Sequence, residues 1–403
     1  LNNNDKAIDF KISFVEEKTI QAGYEKYPKK NWRDLIKHKK GVLITDFADL
    51  KEFLIIQELK DGLPRIKFIN KKNNKKTEIK FDEEAYQLNF NEGAEYASNL
   101  IRVNYSAMNV PATVYQYNLK TEKRKKLKQQ KIPAGFNKNK YETKRVFAKS
   151  HDGKKIPISI LKLKTTKNNA PTLLYGYGSY GMSMAPSFSV ARLSLVDRGM
   201  VFAIAHIRGG MEKGRQWYLD GKLRKKKNTF KDFIKSAKFL KNSKISGDLT
   251  IHGGSAGGLL IGSTINMAPK LFKSAVADVP FVDVLNTILD ASLPLTPPEW
   301  EEWGNPILNK NDFLNIQSYS PYDNVRKQEY PSLLVTAGLT DPRVTYWEAA
   351  KWVARLRELK TDKNDIFLKT NMDAGHAGKA GRYHQIDETA FMYSFILNSH
   401  NLL

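Results

Sequence analysis

A glycine-rich turn with one serine at its apex constrains the fold of this chain more than any other part of its sequence. Residues 249–262 begin as a short apolar run, turn through a glycine cluster that contains Ser255, and continue as a run compatible with a helix. A G-x-S-x-G sequence between a strand and a helix is typical of a nucleophile elbow, in which the serine hydroxyl stands above a β-sheet. Helix N-termini favour negative charge, so the N–H of Ala256 can donate to an oxyanion. Alternatively, the turn only packs a helix against a strand.

The length and composition of the chain limit its number of domains and its cellular location. Its 403 residues are enough for two domains or one large domain. Apolar runs of about 18 residues are absent, so we expect no membrane-spanning helix and no membrane partner. Cysteine is absent, which excludes disulfides and thiolate metal sites and fits a cytoplasmic location; we expect neither a metal nor a cofactor. The first six residues contain no initiator Met and no apolar signal core, so we expect an N-terminally truncated chain.

The formal net charge of +24 is the feature that most favours a nucleic-acid partner. The basic runs at residues 71–76, 120–131 and 222–227 lie in predicted turns and faces, and no nucleic-acid motif interleaves aromatic residues with them. We therefore interpret these runs as solvated faces and expect no specific nucleic-acid partner. Binding of a polyanion remains an alternative that salt dependence would test.

Residues 1–140 have the pattern of antiparallel β-structure. Two sets of short strands follow one another at an offset of about 44 residues, the period of a four-stranded propeller blade. The predicted strands are 41–47, 52–59, 64–70 and 77–81, then 85–90, 99–106, 113–119 and a weak run near Lys126. A partial unit precedes them around residues 9–15. Since a closed propeller needs at least four blades, we predict an incomplete propeller portion of two to three blades, with an open sheet array as the alternative.

Residues 141–403 predict an α/β-hydrolase catalytic domain. After two strands at 143–149 and 156–164, strands and helices alternate, which favours a doubly wound, mostly parallel sheet covered on both faces. The predicted strands are 172–177, 200–206, 249–253, 274–279, 332–338 and 365–370, and the helices are 188–197, 229–242, 258–267, 346–359 and 382–397. The elbow strand lies in the middle of this series, where doubly wound sheets place a ligand crevice.

A serine nucleophile needs a histidine base and an acid that orients it, and hydrolases of this fold carry them in the order serine, acid, histidine. His376 stands in a glycine-flanked loop after the last predicted strand, and Asp341 follows the strand at 332–338. Both therefore lie at strand C-termini, as Ser255 does. Asp341 is alternatively a helix cap. The weaker candidates for the acid are Asp373, Asp278 and Asp283.

A second oxyanion donor is expected near the end of another strand. Residues 175–181 read Tyr-Gly-Tyr-Gly-Ser-Tyr-Gly and close the strand at 172–177. A tyrosine hydroxyl in this loop is able to reach the side of an oxyanion opposite the N–H of Ala256. Alternatively, these tyrosines only pack the end of the strand.

Six motifs together resemble the prolyl oligopeptidase family of serine peptidases and, within it, members of the oligopeptidase B (protease II) type. They lie at residues 175–181, 206–210, 253–258, 300–306, 320–325 and 373–378. The resemblance is specific from about residue 140 onward, and upstream it fits the last blades of the family's seven-bladed propeller. It implies that Ser255, Asp341 and His376 form the catalytic triad and that Tyr177 and the N–H of Ala256 form the oxyanion hole.

The resemblance also implies how substrates are chosen. Arg343 matches a family arginine that grips a substrate carbonyl, and Glu299 and Glu301 match acidic residues of a pocket that takes Arg or Lys. Carboxylates suit a guanidinium because they accept two hydrogen bonds from it; alternatively, these glutamates begin a solvated helix. The family's further acidic pair has no counterpart at residues 182–187, so the resemblance does not extend to a preference for paired basic residues.

We therefore expect a serine endopeptidase (oligopeptidase) that hydrolyses short basic peptides after Arg or Lys through an acyl-enzyme. Three alternatives stay open at this point: an esterase or acylaminoacyl-type hydrolase of the same fold, an inactive truncated fragment, and an interaction scaffold. The sequence makes no prediction of the oligomeric state.

Overall fold

The computed structural model describes residues 2–15 and 32–403. Its first part consists of antiparallel sheets in which strands adjacent in sequence are adjacent in space. The strands are β1 (Asn2–Asn3), β2 (Lys11–Phe14) and β3 (Arg33–Ile36); β4 (Val42–Asp49), β5 (Phe53–Lys60), β6 (Leu63–Asn70) and β7 (Lys76–Ile79); and β8 (Tyr86–Asn91), β9 (Leu100–Ala107), β10 (Val110–Asn118) and β11 (Arg124–Gln129). β4–β7 and β8–β11 are two four-stranded meanders of the kind that forms propeller blades.

The two four-stranded sheets share one apolar core. Inward-facing side chains of the first sheet, such as Ile55 and Phe68, belong to the same buried cluster as Leu88 and Val103 of the second. The alternation of buried and exposed residues along β9 places every second side chain in this core. Two stacked sheets of this kind are what the offset between the two strand sets predicts.

The remaining strands form one eight-stranded sheet that begins at Tyr141. They are β12 (Tyr141–Lys149), β13 (Lys155–Leu163), β14 (Ala170–Tyr175), β15 (Val201–Ala205), β16 (Ser246–Gly254), β17 (Ser274–Asp278), β18 (Ser332–Gly338) and β19 (Ile366–Asn371). Their order in space is β12-β13-β15-β14-β16-β17-β18-β19, antiparallel up to β15 and parallel from there on. This sheet and the N-terminal blades confirm the predicted fold class.

Nine α-helices lie between or after these strands in the described part of the chain. They are α1 (Val190–Asp197), α2 (Arg215–Leu219), α3 (Lys227–Asn242), α4 (Ala256–Met267), α5 (Val284–Leu289), α6 (Thr296–Trp303), α7 (Lys310–Gln317), α8 (Tyr346–Leu359) and α9 (Arg382–Ser399). α3, α4 and α8 bury their apolar sides in the core on one face of the sheet, and α1 and α9 pack in a second core. The sequence pattern did not predict α2 or the three short helices α5–α7 between β17 and β18.

The topology brings the predicted site to one edge of the sheet. Strand β15 lies on one side of β14 in the sheet and β16 lies on its other side, so the strand order reverses at β14. In open α/β sheets the ligand crevice lies outside the strand C-termini at such a reversal. The loop after β14 and the turn after β16 therefore face the same crevice.

The propeller part is joined to the catalytic part by specific contacts. Asp9, which is fully buried, accepts hydrogen bonds from the N–H groups of Gly41 and Arg215 and so links the N-terminal segment to the start of α2. The N–H of Gly62, in the turn between β5 and β6, donates to the carbonyl oxygen of Glu212. Among the helices described, none is long and apolar enough to cross a bilayer.

Candidate active site

Ser255 occupies the sharp turn between β16 and α4. Its backbone angles are φ 56° and ψ −122°, a conformation that residues other than glycine rarely adopt. A Cβ atom on Gly253 would lie 2.4 Å from the carbonyl oxygen of Gly257, so the turn requires glycine where the chain crosses itself. The N–H of Ser255 donates to the carbonyl oxygen of Asp278 on the neighbouring strand at 2.8 Å. This is the strained geometry of a nucleophile elbow.

Two hydrogen-bond donors adjoin the Ser255 side chain. Ala256 is the first residue of α4, and the first N–H groups of a helix have no acceptor within it. Tyr177, in the loop after β14, lines the same cavity as Ser255, and its hydroxyl lies near the Ser255 side chain. Burial raises the pKa of Tyr177 to about 12, which keeps this hydroxyl protonated at neutral pH. Both donors are therefore able to stabilise negative charge beside Ser255.

His376 and Asp341 form a hydrogen-bonded pair. Nδ1 of His376 lies 2.7 Å from Oδ2 of Asp341, whose side chain is fully buried. Oδ1 of Asp341 accepts the N–H groups of Arg343 and Val344 at 2.8 and 3.0 Å, so the same carboxylate also caps the local turn. Because Nδ1 faces the acid, Nε2 is the nitrogen left for proton transfer. No hydrogen bond joins His376 to Ser255 among the contacts of the described residues.

A cavity of about 430 Å³ joins most of the predicted site residues. Its walls include Tyr177, Ser255, Ala256, Glu299 and Arg343. His376 borders a different cavity, of about 400 Å³. The serine, the two candidate oxyanion donors and two acidic residues, Glu299 and Glu348, thus line one cavity.

Glu299 is one of the two acidic residues that line this cavity. It lies on α6, and its Oε2 atom accepts the hydroxyl of Tyr180 at 2.9 Å and the indole N–H of Trp303. Burial is the main cause that raises the pKa of Glu299 above its ordinary value. Both donors hold Oε2, so Oε1 is the oxygen available to a ligand.

Glu301 differs from the expectation. It is exposed and is not among the residues that line the cavity. Residues two apart on an α-helix point about 200° away from each other, so Glu299 and Glu301 of α6 cannot face one pocket. Glu302, three residues after Glu299, is buried; it accepts the N–H of Tyr180 at 3.1 Å and the hydroxyl of Tyr218 at 2.6 Å. Among the contacts of the described residues, Glu302 therefore contacts the cavity only through Tyr180, whose backbone N–H it accepts.

Glu348 is a site residue that sequence reasoning missed. It lies on α8, is 1% exposed and lines the cavity. Its carboxylate accepts the N–H groups of Val282 and Asp283, each at 2.9 Å, and the hydroxyl of Thr287 at 2.7 Å. Burial raises its pKa to about 7. No sequence pattern marks a single glutamate in an amphipathic helix as buried.

The described residues contain no group of three or more His, Cys, Asp or Glu side chains placed to hold a metal ion.

Family models match both parts of the chain. The prolyl oligopeptidase family matches residues 186–402, and the N-terminal β-propeller domain of prolyl oligopeptidase matches residues 2–130. Together these two matches cover the β-meanders and the region of the elbow, the acid and the histidine.

The chain is similar to several named peptidases. It is 44% identical over 401 residues to dipeptidyl aminopeptidase BI of Pseudoxanthomonas mexicana, covering 98% of this chain and 54% of that protein. It is 40% identical over 369 residues to protease 2 of Moraxella lacunata, covering 91% of this chain and 53% of that protein. The chain thus spans about half the length of the curated relatives it matches.

The fold is similar to known peptidase structures. Oligopeptidase B from Leishmania major superimposes with a TM-score of 0.90 at 39% identity, over 100% of this chain and 57% of that one. Oligopeptidase B from Trypanosoma brucei with covalently bound antipain superimposes with a TM-score of 0.90 at 40% identity, over 99% of this chain and 57% of that one.

Proposed function

The chain belongs to the prolyl oligopeptidase family, and on that premise we propose that it is a serine peptidase that cleaves short peptides after Arg or Lys. The observation that carries the proposal is the shared cavity, in which Ser255 of the elbow and the carboxylate of Glu299 face one space. The serine supplies a nucleophile, and the carboxylate supplies a partner for a cationic side chain next to the bond that is cleaved.

In the proposed reaction Ser255 Oγ attacks the substrate carbonyl, and Nε2 of His376 accepts its proton. Asp341 fixes the imidazole through Nδ1 and stabilises the positive charge that forms on it. The hydroxyl of Tyr177 and the N–H of Ala256 donate to the oxyanion. His376 then protonates the leaving amine, and a water activated in the same way hydrolyses the acyl-enzyme.

Substrate choice follows from the arrangement around Glu299. Tyr180 and Trp303 donate to its Oε2 atom, which leaves Oε1 available to a guanidinium or ammonium group. Arg343 lines the same cavity and is proposed to hold a backbone carbonyl of the substrate. We assign no substrate contact to Glu301, because it lies outside the cavity.

A second candidate activity is the release of dipeptides from free N-termini. The name of the relative that is 44% identical over 98% of the chain favours it. The two activities use the same nucleophile and differ in whether the substrate must have a free amino group two residues before the cleaved bond. An N-terminally blocked Arg-amide and a dipeptide Arg-amide with a free N-terminus therefore distinguish them.

The proposal is tested by labelling the chain with a fluorescent phosphonate that reacts with serine hydrolases, with and without excess benzamidine. We expect labelling that benzamidine blocks, and neither labelling nor turnover of an Arg-amide in the Ser255→Ala variant. Labelling that benzamidine leaves unchanged would favour an esterase or acylaminoacyl-type hydrolase. Absence of labelling in a folded, monodisperse sample would contradict the peptidase assignment.

A further inference from the structure

A buried lysine holds the loop that carries the proposed oxyanion tyrosine. Nζ of Lys226, just before α3, donates to the carbonyl oxygen of Gly178 and to Oγ of Ser179, each at 2.7 Å. These two residues directly follow Tyr177. Lys226 is 1% exposed although it lies in the basic run 222–227, which the sequence pattern presents as a solvated face.

The opposite charge of Glu302 acts on the next residue of the loop. Its carboxylate accepts the N–H of Tyr180, and this glutamate is itself 4% exposed. The ring of Trp303 lies 4.8 Å from Nζ of Lys226 and is in edge contact with the ring of Tyr180. Three consecutive loop residues, 178–180, are therefore held by side chains of other elements. The cation is Lys226, which precedes α3, and the anion and the indole are Glu302 and Trp303 of α6.

Simple packing does not account for a lysine at this position. Placing an ammonium group out of water costs free energy unless hydrogen bonds and nearby charges compensate. Burial lowers the pKa of Lys226 to about 8, while the charge of Glu302 opposes that change. A methionine would fill a similar volume without this cost, so what the lysine adds is the pair of directed hydrogen bonds to the loop.

We propose that Lys226 is a positioning residue, which fixes the loop through the Gly178 carbonyl and the Ser179 hydroxyl and thereby places the Tyr177 hydroxyl where the oxyanion forms. This inference rests on the proposed function, since it concerns the same oxyanion site. A preorganised donor lowers the reaction barrier only when it is already directed at the developing charge. A loosened loop therefore weakens binding of the transition state more than binding of a cation at Glu299.

The test compares Lys226→Met with Lys225→Met. Lys225 is the adjacent residue; its side chain is 57% exposed and pairs with Asp220. Both variants are assayed for kcat and KM on an Arg-amide, for inhibition by an arginine aldehyde, which forms a tetrahedral adduct with the serine, and for inhibition by benzamidine. For Lys226→Met we expect kcat and aldehyde affinity to fall roughly 10–100-fold. KM and benzamidine affinity are expected to stay within about 2-fold of wild type, and Lys225→Met is expected to behave as wild type.

Two outcomes would overturn the inference while leaving the proposed function intact: equal losses of aldehyde and benzamidine affinity, or a Lys226→Met variant indistinguishable from Lys225→Met in an active protein. If circular dichroism shows that Lys226→Met is unfolded, Ser179→Ala replaces it, because this change removes only one acceptor from Nζ. Ser179→Ala is expected to lower kcat and aldehyde affinity several-fold while benzamidine affinity stays within about 2-fold of wild type. An unchanged aldehyde affinity would overturn the inference. A wild-type chain that neither turns over nor labels would overturn the proposed function and this inference with it.

Discussion

Nδ1 of His376 lies 2.7 Å from Oδ2 of Asp341, and this pair connects the loop after β19 to the loop after β18. The carboxylate therefore decides which imidazole nitrogen carries the proton. An amide at position 341 would offer an N–H to Nδ1 and stabilise the wrong tautomer.

We predict that Asp341→Asn lowers kcat by roughly 10³–10⁴-fold with little change in KM, since it alters proton transfer and not substrate contacts. Steady-state kinetics on an Arg-amide measures this. The matched control is Asp373→Asn, because Asp373 belongs to the histidine loop but is 78% exposed and pairs only with Lys379 among the contacts described for it. A control as inactive as Asp341→Asn would contradict the assignment of the acid.

The tyrosines of the loop after β14 are predicted to have separable effects. Tyr177→Phe removes a donor beside Ser255 and is expected to lower kcat by roughly 10²–10³-fold at nearly constant KM. Tyr180→Phe removes the hydroxyl that holds Oε2 of Glu299 and is expected to raise KM for an Arg substrate while kcat changes less. If both variants changed only KM, Tyr177 would not be an oxyanion donor.

The preference for Arg is predicted to depend on Glu299 and not on Glu301. Glu299→Gln removes the cavity charge and is expected to lower kcat/KM for an Arg-amide by roughly 10–100-fold, the range of a hydrogen bond to a charged group. A Leu-amide is expected to be much less affected. Glu301→Gln is the matched control, because it removes an equal charge from the exposed side of the same helix. An equal loss in the two variants would mean that the helix charge, and not the cavity carboxylate, selects the substrate.

Burial of Glu299 predicts a pH dependence of substrate choice. Its pKa is raised above the ordinary value, so as the pH falls the carboxylate becomes neutral sooner than an exposed glutamate would. Only the ionised form pairs with a guanidinium, so the ratio of kcat/KM for Arg and Leu substrates should fall with decreasing pH. Ionisations that affect kcat/KM equally for both substrates cancel in this ratio. In Glu299→Gln this ratio should not vary with pH, and a variation as large as in wild type would assign the effect to another group.

The placement of the candidate triad residues could be predicted because its signals are local. Ser255 lies in a turn whose glycines are required by close backbone contacts, and Asp341 and His376 follow strands of a sheet whose order places their ends at one edge. The sequence also predicted the two β-meanders from the repeat of their strands. These features depend on short stretches of chain and on the regular geometry of parallel sheets.

The features that the sequence did not predict depend on orientation or on distant partners. Glu301 matched a family position in sequence, but the phase of α6 turns it to solvent and turns Glu302 inward. Lys226 stands within a run of basic residues whose other members resemble a solvated face. Helices α5–α7 have only six to eight residues each, too few to show a clear period. In each of these cases tertiary contacts decide what the local pattern leaves open.

Glu348 is predicted to make stability depend on pH. Its pKa is raised to about 7 in the folded chain, from an ordinary value of 4.5, mainly by burial. The folded state therefore binds this proton more tightly than the unfolded state does, so the contribution to stability is fully present below about pH 4.5 and is lost as the pH rises through about 7. The difference between the two pKa values corresponds to a contribution of this group to the free energy of unfolding on the order of 3 kcal/mol.

The Glu348→Gln variant cannot ionise at this position and is expected to lack that loss. The Tm of the variant minus that of wild type should therefore be several degrees more positive at pH 8 than at pH 5. Placing an amide opposite the N–H groups of Val282 and Asp283 has a cost that is the same at both pH values, so it cancels in this comparison. Thermal unfolding followed by circular dichroism at both pH values measures the difference. Glu358→Gln, an exposed change on the same helix, serves as the control and is expected to shift Tm equally at the two pH values. If Glu348→Gln did the same, the carboxylate would be ionised in the folded chain throughout this range, held by its three donors and not made neutral by burial.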